Sequence, residues 1–504
     1  MASCDAIVIG GGINGLAAAA KLALGGARVT VIEAASHVGG MCEVSHLCHG
    51  LDERLEAALK LSDHGLSWLS TNLASTAVSA TGNHLVLQGN FGETLLGDIS
   101  SADRASWQAL RATLLKNASL LAPFKTMTAP RLSRDHGAPL WSLLSQGLKI
   151  RSMGKDALRE FMRLMLINVA DVLDDDLTDD RLKGLLAFDT LLGHFAGPRS
   201  PNSLLSLYNR IAHSVAGHQA ALALPRGGMR AIAKAMEAAL KARGVTIRTD
   251  AAVKRINIDG DRARSVTLQS GEELKAQLVL SALHPQTTLM SLVGAPQLDT
   301  GHVRRTMNIR SRGTTSLLRL TLKDQPDFRG ADLKTRLVIA PSVRAVEEAF
   351  NAVKYKTFSP EPVMECVVPT AFEPQVHHTL TALVQFAPHD LKGGWAQGKP
   401  AYLKAILAQL ERHAPGIGKL VTEADLQTPD DIAFRFGSPG GQWHQAELSV
   451  EQMFFLRPAI GMAQYQTPFA GLYLASAAMH PGGGVTGTAG WNAATQALKM
   501  GGAA

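Results

Sequence analysis

Near the start of the chain, Gly10, Gly12 and Gly15 fall between two short apolar runs, and an acid, Glu33, closes the second run. Glycines at this spacing let a phosphate lie against bare backbone. Gly10 permits a tight turn, Gly12 leaves room for a pyrophosphate, and Gly15 lets the next helix pack close. The first turn of that helix offers free N–H groups and the positive end of a dipole. Glu33, 18 residues after Gly15, can accept hydrogen bonds from ribose hydroxyls and repels a 2′-phosphate. The chemistry is recognition of a dinucleotide without that phosphate, and a strand, a turn, a helix and a second strand must position it. Ala6, Ile7, Val8 and Ile9 have the unbroken apolar character of a parallel strand buried on both faces. Residues 16–24 are rich in alanine and end at Gly25-Gly26, as a helix should. Val29, Val31 and Ile32 supply the second strand.

NAD and FAD share this fingerprint, so other residues must choose between them. Gly39-Gly40 follows Glu33 closely. An acid and then a glycine doublet resembles FAD oxidoreductases of the amine-oxidase and glutathione-reductase type. A second glycine turn lies at the other end of the chain, in 471–494, where Leu472 to Leu474 read as a strand and Pro481-Gly482-Gly483-Gly484 as a turn. Val485 onward reads as a helix, whose N-terminus would suit an anion. His480 precedes the turn and could act as acid or base near neutral pH, or only bond backbone. His444 and Glu447 are three apart, so one helix face could present both, to a pocket or to solvent.

Together these residues resemble the phytoene desaturase and carotenoid isomerase branch of the FAD-dependent amine-oxidase-like superfamily, and within it the pyridine-nucleotide-disulphide-oxidoreductase-domain-containing subgroup. Four internal stretches resemble that subgroup's motifs. They are Gly193-His194-Phe195-Ala196-Gly197-Pro198, Pro225-Arg226-Gly227-Gly228-Met229, the 381–388 strand, and Ser438-Pro439-Gly440-Gly441 followed by His444, Glu447 and Gln452. The resemblance spans nearly the whole chain. It implies FAD held by Gly10, Gly12, Gly15, Glu33, Gly39, Gly40, Val253, Gly483, Gly484 and Val485. Val253 would meet the adenine through its backbone, and the C-terminal turn would face the flavin pyrimidine. One stretch departs: Ala475-Ser476-Ala477 stands where the family often has Cys-Gly-Ser.

The cysteines do not fit disulphide chemistry. Cys42 and Cys48 are spaced C-x5-C, whereas the redox pair of disulphide reductases is C-x4-C with a glycine before the second cysteine. No second G-x-G-x-x-G for NAD lies mid-chain, and Cys4 and Cys366 are isolated, so no zinc site is expected. Four cysteines and no leader point to a reducing, cytoplasmic setting. No apolar run is long enough to span a bilayer. The net charge of +7 over 504 residues is modest, and no aromatic-basic interleaving suggests nucleic acid.

The organisation predicted is an α/β protein. A Rossmann-type, glutathione-reductase-like FAD domain is built discontinuously from 1–75, 220–295 and 429–504, with 251–280 as a β-meander. An inserted α+β substrate domain comes from 76–219, largely helical, and 296–428, with strands at 314–322 and 379–386 and a helix at 400–413. Leu140-Trp141-Ser142-Leu143-Leu144 and 158–169 are apolar, with Lys149, Arg151, Lys155, Arg159 and Arg163 among them. They could line a pocket or rest on a membrane as a peripheral contact. Either implies an apolar substrate. The expected reaction is desaturation, oxidation or isomerisation of a carotenoid- or lipid-like molecule, with His480, His444 and Glu447 as candidate catalytic groups and oxygen or a quinone as acceptor. Two alternatives stand beside it. One is C–N oxidation of an amine, for which the Tyr-rich pattern is missing. The other is a flavin-binding interaction protein with vestigial chemistry.

Overall fold

In the computed structural model, which describes residues 4–129, 154–373 and 377–501, the chain forms two main sheets. The first has five parallel strands. At its centre lies β1 (Ala6–Ile9), flanked by β2 (Val29–Ile32) and by the Leu278–Ser281 strand. Thr246–Arg248 and Leu472–Leu474 form the edges. Every residue of β1 is buried, as its apolar run requires. Between β1 and β2 runs α1 (Ile13–Leu24), whose alanines let it lie close to the sheet. Its other side meets the C-terminal helix Thr488–Gly501. A Cβ on Gly490 would fall 1.8 Å from the Asn14 carbonyl oxygen, so the two helices cross where only glycine fits. That helix begins three residues later than the sequence pattern suggests, after an extended glycine turn. The predicted β-meander is present as Val253–Asp259, Arg262–Leu268 and Glu273–Lys275.

The second sheet is mixed and has eight strands. The order is Val421–Gln427, Thr315–Leu322, His378–Gln385, Val363–Val367, Arg336–Ile339, Ser75–Ala77, Leu85–Gln88 and Thr94–Leu96. The last three come from a region read as helical. They are short, and in Thr94–Leu96 only the middle residue is buried, too brief an alternation to show as a strand pattern. Helices cover both faces. Trp395–His413 packs with Leu318, Leu320 and Met364 on one side. On the other, Ser101–Thr126, Asp180–Leu191 and Ser203–Ile211 share a core with Leu317 and Leu383. An ion cluster pins this helical layer to the sheet. Arg336, fully buried, bonds both Asp189 and Glu365; Asp189 also pairs with Arg210, and Glu365 accepts from His46 at 2.8 Å.

The apolar 140–144 stretch, Lys149 and Arg151 lie outside the described residues. Lys155, Arg159 and Arg163 belong to the helix Lys155–Leu166, which buries Phe161 and Leu164 but exposes Met162 and Leu166. Among the described residues no helix is long and apolar enough to cross a membrane.

Candidate functional site

A cleft opens at the C-terminal ends of the parallel strands, where such sheets bind ligands. One section, about 1340 Å³, is lined by Ile9, Gly10, Gly12, Ile32, Glu33, Gly40 and Val253. A second, about 640 Å³, is lined by Gly12, Gly15, Gly39, Met41, Cys42, His49, Trp443, Ala477, Gly484 and Val485. The two share Gly12, Met41, Ala282 and Gln445, so they form one continuous groove.

Each glycine here has a distinct geometric reason. Gly10 sits at φ +96°, a conformation costly for a side chain. A Cβ on Gly15 would lie 1.9 Å from the Gly10 carbonyl oxygen. Gly12 is different, because its Cβ would meet nothing nearer than the Gly39 oxygen at 3.9 Å and would project into open cleft. Gly39 (φ +134°) and Gly40 (φ +54°) fold back onto this loop, and the Gly39 N–H donates to the Gly11 carbonyl at 2.9 Å. The Glu33 carboxylate accepts from the Gly11 N–H at 2.6 Å and the Ala35 N–H at 2.8 Å, which fixes it at the tip of β2.

At the opposite end, Gly484 and Val485 face the cleft while Gly482 and Gly483 lie behind it. A Cβ on Gly482 would fall 2.1 Å from Arg457 Nε, and one on Gly483 2.8 Å from His444 Nδ1. Arg457, fully buried, donates to the carbonyls of Met479, Glu447, Gln452, His444, Ala446 and Ala477. It thereby ties the 442–457 loop to the strand end that carries Ala475-Ser476-Ala477. Ala477 lines the cleft, while Ala475 and Ser476 are fully buried.

The candidate catalytic residues fall elsewhere than their sequence positions suggest. His480 is buried and turned toward the Ser101–Thr126 helix, with Nε2 2.8 Å from the Phe124 carbonyl oxygen. Burial, then the nearby Lys125, pushes its pKa down to about 4, so it is neutral at pH 7. Residues 442–448 form a loop rather than a helix, so His444 and Glu447 do not share a helix face. His444 lies behind Gly483, its Nε2 3.2 Å from the Leu192 carbonyl oxygen, and burial lowers it to about 4. Glu447 is held in a bidentate pair with Arg312 at 2.7 and 2.9 Å, away from the cleft. Gln452 clamps the same loop, accepting from the Arg310 N–H at 2.7 Å. The Pro439-Gly440-Gly441 motif is packing: a Cβ on Gly440 or Gly441 would lie 1.8 Å from a neighbouring carbonyl oxygen.

Among the cleft residues that carried no sequence signal are His49 and Trp443. His49 stands edge-on to Trp443, ring centroids 6.0 Å apart, with a buried Nε2 that has no partner. They reach the cleft from separate parts of the chain, and nothing in their local pattern announces it. Cys42 and Cys48 are free and buried, and burial pushes the Cys48 thiol up to about 12 and Cys42 higher. Thiols so held are protonated and inert. Among the described residues no group of His, Cys, Asp or Glu could hold a metal ion.

A parallel sheet with a glycine-floored cleft, an acid at its second strand and a mixed sheet beyond it defines a class of dinucleotide-dependent oxidoreductases. Residues 13–498 match the family of flavin containing amine oxidoreductases, and the chain belongs to that family. It is 29% identical to mouse pyridine nucleotide-disulfide oxidoreductase domain-containing protein 2, over 97% of this chain and 92% of that one. It is 24% identical to a lycopene-forming phytoene desaturase from a Paracoccus strain, over 99% and 98%. Putrescine oxidase with bound putrescine shares the fold at TM-score 0.61 and 16% identity, covering both chains fully. Cyclohexylamine oxidase from Brevibacterium oxydans IH-35A does so at TM-score 0.59 and 17% identity, over 99% of each chain.

Proposed function

We propose that this flavoprotein uses FAD to desaturate, oxidise or isomerise an apolar, carotenoid- or lipid-like substrate. The observation that carries the reading is the continuous cleft. It has an acid at one end, side-chain-free floor at Gly12 and Gly39 in the middle, and a largely apolar wall of Ile13, Met41, Trp443 and Val485 at the other. Glu33 would hold the ribose, Gly12 and the N-terminus of α1 the pyrophosphate, and Gly484 with Val485 the isoalloxazine edge. When bound, FAD supplies a two-electron acceptor at its N5. The chain's own residues then position and exclude solvent. Trp443 and Met41 offer apolar contact, and Arg457 holds a buried positive charge behind the 482–484 turn, favourable to negative charge developing in front of it. Among the described residues no carboxylate lines the section around Gly484, which supports an uncharged substrate there rather than one bound as a cation.

Amine oxidation is favoured by the family and by the fold shared with putrescine oxidase. Against it stands the buried Arg457 behind the 482–484 turn at that end of the cleft, because an ammonium substrate would be repelled there. Oxygen or a quinone is the proposed acceptor. Met162 and Leu166, exposed beside Arg159 and Arg163, are the proposed peripheral contact with a membrane.

The test is to purify the protein, record its visible spectrum, identify the released cofactor, and extract bound apolar molecules for mass spectrometry. Anaerobic bleaching of the flavin by a polyene or lipid but not by amines is the result expected. A colourless protein that FAD cannot reconstitute sinks the proposal, and bleaching by amines alone transfers it to C–N oxidation. Stable FAD with no photoreduction and no turnover would indicate a binding protein.

A further inference from the structure

The section of the cleft that carries Gly10 and Gly12 is also lined by two carboxylates, Glu33 and Glu43. A pyrophosphate laid on Gly12 brings further negative charge beside them. The N-terminus of α1 answers part of it, with about half a positive charge and no acid in its first turn. The remainder calls for a cation, because like charges brought together without one repel. Among the described residues, Arg435 is the only lysine or arginine that lines either section of the cleft.

Arg435 comes from the far side of the molecule. It lies in the last turn of the helix Pro429–Phe436, which Thr428 caps directly after the edge strand Val421–Gln427 of the mixed sheet. The helix end is fixed against the cleft, where the Gly437 carbonyl accepts from Thr287 Oγ1 at 3.2 Å. Arg435 Nη2 donates to Glu43 Oε2 at 2.6 Å, and Nη1 to Gln427 Oε1 at 3.3 Å. The rest of the guanidinium fork is free, and the side chain is 41% exposed. Glu43 has other support. His37 Nε2 lies 2.8 Å and Arg230 Nε 3.8 Å from its Oε1. Arg435 can therefore turn toward a phosphate without leaving Glu43 unpaired.

We propose that Arg435 is the counter-ion of the FAD pyrophosphate, supplied from the mixed-sheet side and held by Glu43 until the cofactor arrives. The proposal rests on the placement of the pyrophosphate at Gly12 and adds the side chain that meets it. A guanidinium fork matches phosphate oxygens with paired donors, which an ammonium does not. Glu43 acts against the cofactor, because it competes for Arg435 and adds negative charge beside the phosphates. The two members of one ion pair thus have opposite effects on cofactor binding. A pair that only held the 429–436 helix in place would give both the same effect.

The experiment is titration of apoprotein with FAD, followed by flavin fluorescence, and with ADP and adenosine, followed by calorimetry. Thermal denaturation of each apoprotein checks that the variants fold. Arg435→Gln should weaken FAD and ADP by about tenfold or more, the worth of one charge-assisted contact, and leave adenosine within about twofold. Arg435→Lys should fall between, keeping the charge but losing the fork. Glu43→Gln breaks the same pair and should bind FAD as tightly as the wild type or more tightly. Added salt should weaken FAD binding by the wild type more than by Arg435→Gln. Wild-type FAD affinity in Arg435→Gln overturns the proposal. So does equal weakening by Arg435→Gln and Glu43→Gln, since the pair would then be structural, and so does a loss of adenosine as large as that of ADP. If Arg435→Gln does not fold, Arg435→Lys and Glu43→Gln decide, and weaker FAD binding by Glu43→Gln overturns the proposal. Apoprotein that binds neither FAD nor ADP sinks the dinucleotide reading and the proposal with it; FAD held equally by wild type and Arg435→Gln sinks only the role of Arg435.

Discussion

Gly12 and Gly15 are three residues apart and look alike in sequence, yet their substitution by alanine should have opposite signatures. At Gly15 the new methyl would lie 1.9 Å from the Gly10 carbonyl oxygen, 3.1 Å from its carbon and 3.2 Å from the Ala282 Cβ. Ordinary carbon–oxygen contact is about 3.2 Å, so α1 must move by more than about 1 Å from β1. Overpacking of this kind costs about 1–3 kcal/mol, more than the roughly 1 kcal/mol that alanine gains over glycine in a helix. Gly12 has φ −70° and ψ 170°, which any residue adopts, and its nearest neighbour would be 3.9 Å away. Alanine there should cost the fold less than about 1 kcal/mol, mainly as a poorer helix cap. The methyl would occupy the floor on which the pyrophosphate is proposed to lie. Gly12→Ala should therefore purify with a normal melting curve as apoprotein and at least about tenfold weaker FAD binding, about 1.4 kcal/mol. Gly15→Ala should lose both stability and cofactor. The assays are the flavin-to-protein absorbance ratio, FAD titration of apoprotein, and thermal denaturation of each apoprotein. A Gly12→Ala protein that keeps wild-type FAD affinity would refute the placement of the pyrophosphate. One that loses flavin and fold together would refute the argument from open space.

Arg457→Met should destabilise by about 3 kcal/mol or more, because buried carbonyls lose their donor, and Gly482→Ala should reproduce part of the loss by driving a methyl into the guanidinium; chemical denaturation measures both. Arg336→Met leaves buried Asp189 with Arg210 alone and buried Glu365 with His46 alone and should cost about 3–5 kcal/mol, and a loss under 1 kcal/mol would mean the cluster adds little. For pH, His444 and His480 are lowered from 6.5 to about 4 in the fold, so between those values the unfolded chain binds more protons. Stability should fall as pH drops through that window, and the double variant His444→Gln, His480→Gln should show a shallower fall. Lys125 is lowered from 10.5 to about 7, so ligand-free stability should rise with pH from about 7 toward 10, a slope that Lys125→Met should reduce. Glu447→Gln should lower stability by about 1 kcal/mol through its pair with half-exposed Arg312 while leaving the rate of flavin reduction unchanged; a large loss of rate would restore Glu447 to the chemistry.

The dinucleotide half was legible because its signals are local. An apolar run, glycines at fixed spacing and an acid at the end of the next strand each act within a few residues, so order along the chain already fixes geometry. The C-terminal glycine turn was legible for the same reason, although its helix starts at Thr488 and only Gly484 and Val485 of the turn face the cleft. The three short strands within 75–96 were not: they pair as a brief meander joined to the sheet through Arg336–Ile339, far along the chain, and three or four residues leave little periodicity.

The candidate catalytic side chains show the limit most clearly. His444 and Glu447 suggested a shared helix face, but the chain loops there because Gly440 and Gly441 press against the carbonyls of Ser311 and Pro429, more than a hundred and about ten residues away respectively. His480 lies beside the predicted turn, and its direction is set by the Phe124 carbonyl on a helix inserted hundreds of residues earlier. The sequence alone determined a dinucleotide cleft and the class of cofactor, since glycine and carboxylate spacing act on their own backbone. Only the tertiary structure decided which ionisable groups share a desolvated space. Among the described residues neither Lys125 nor Arg457 is paired with a carboxylate, and the cost of burying them depends on neighbours from several separate segments, information that one dimension of sequence does not carry.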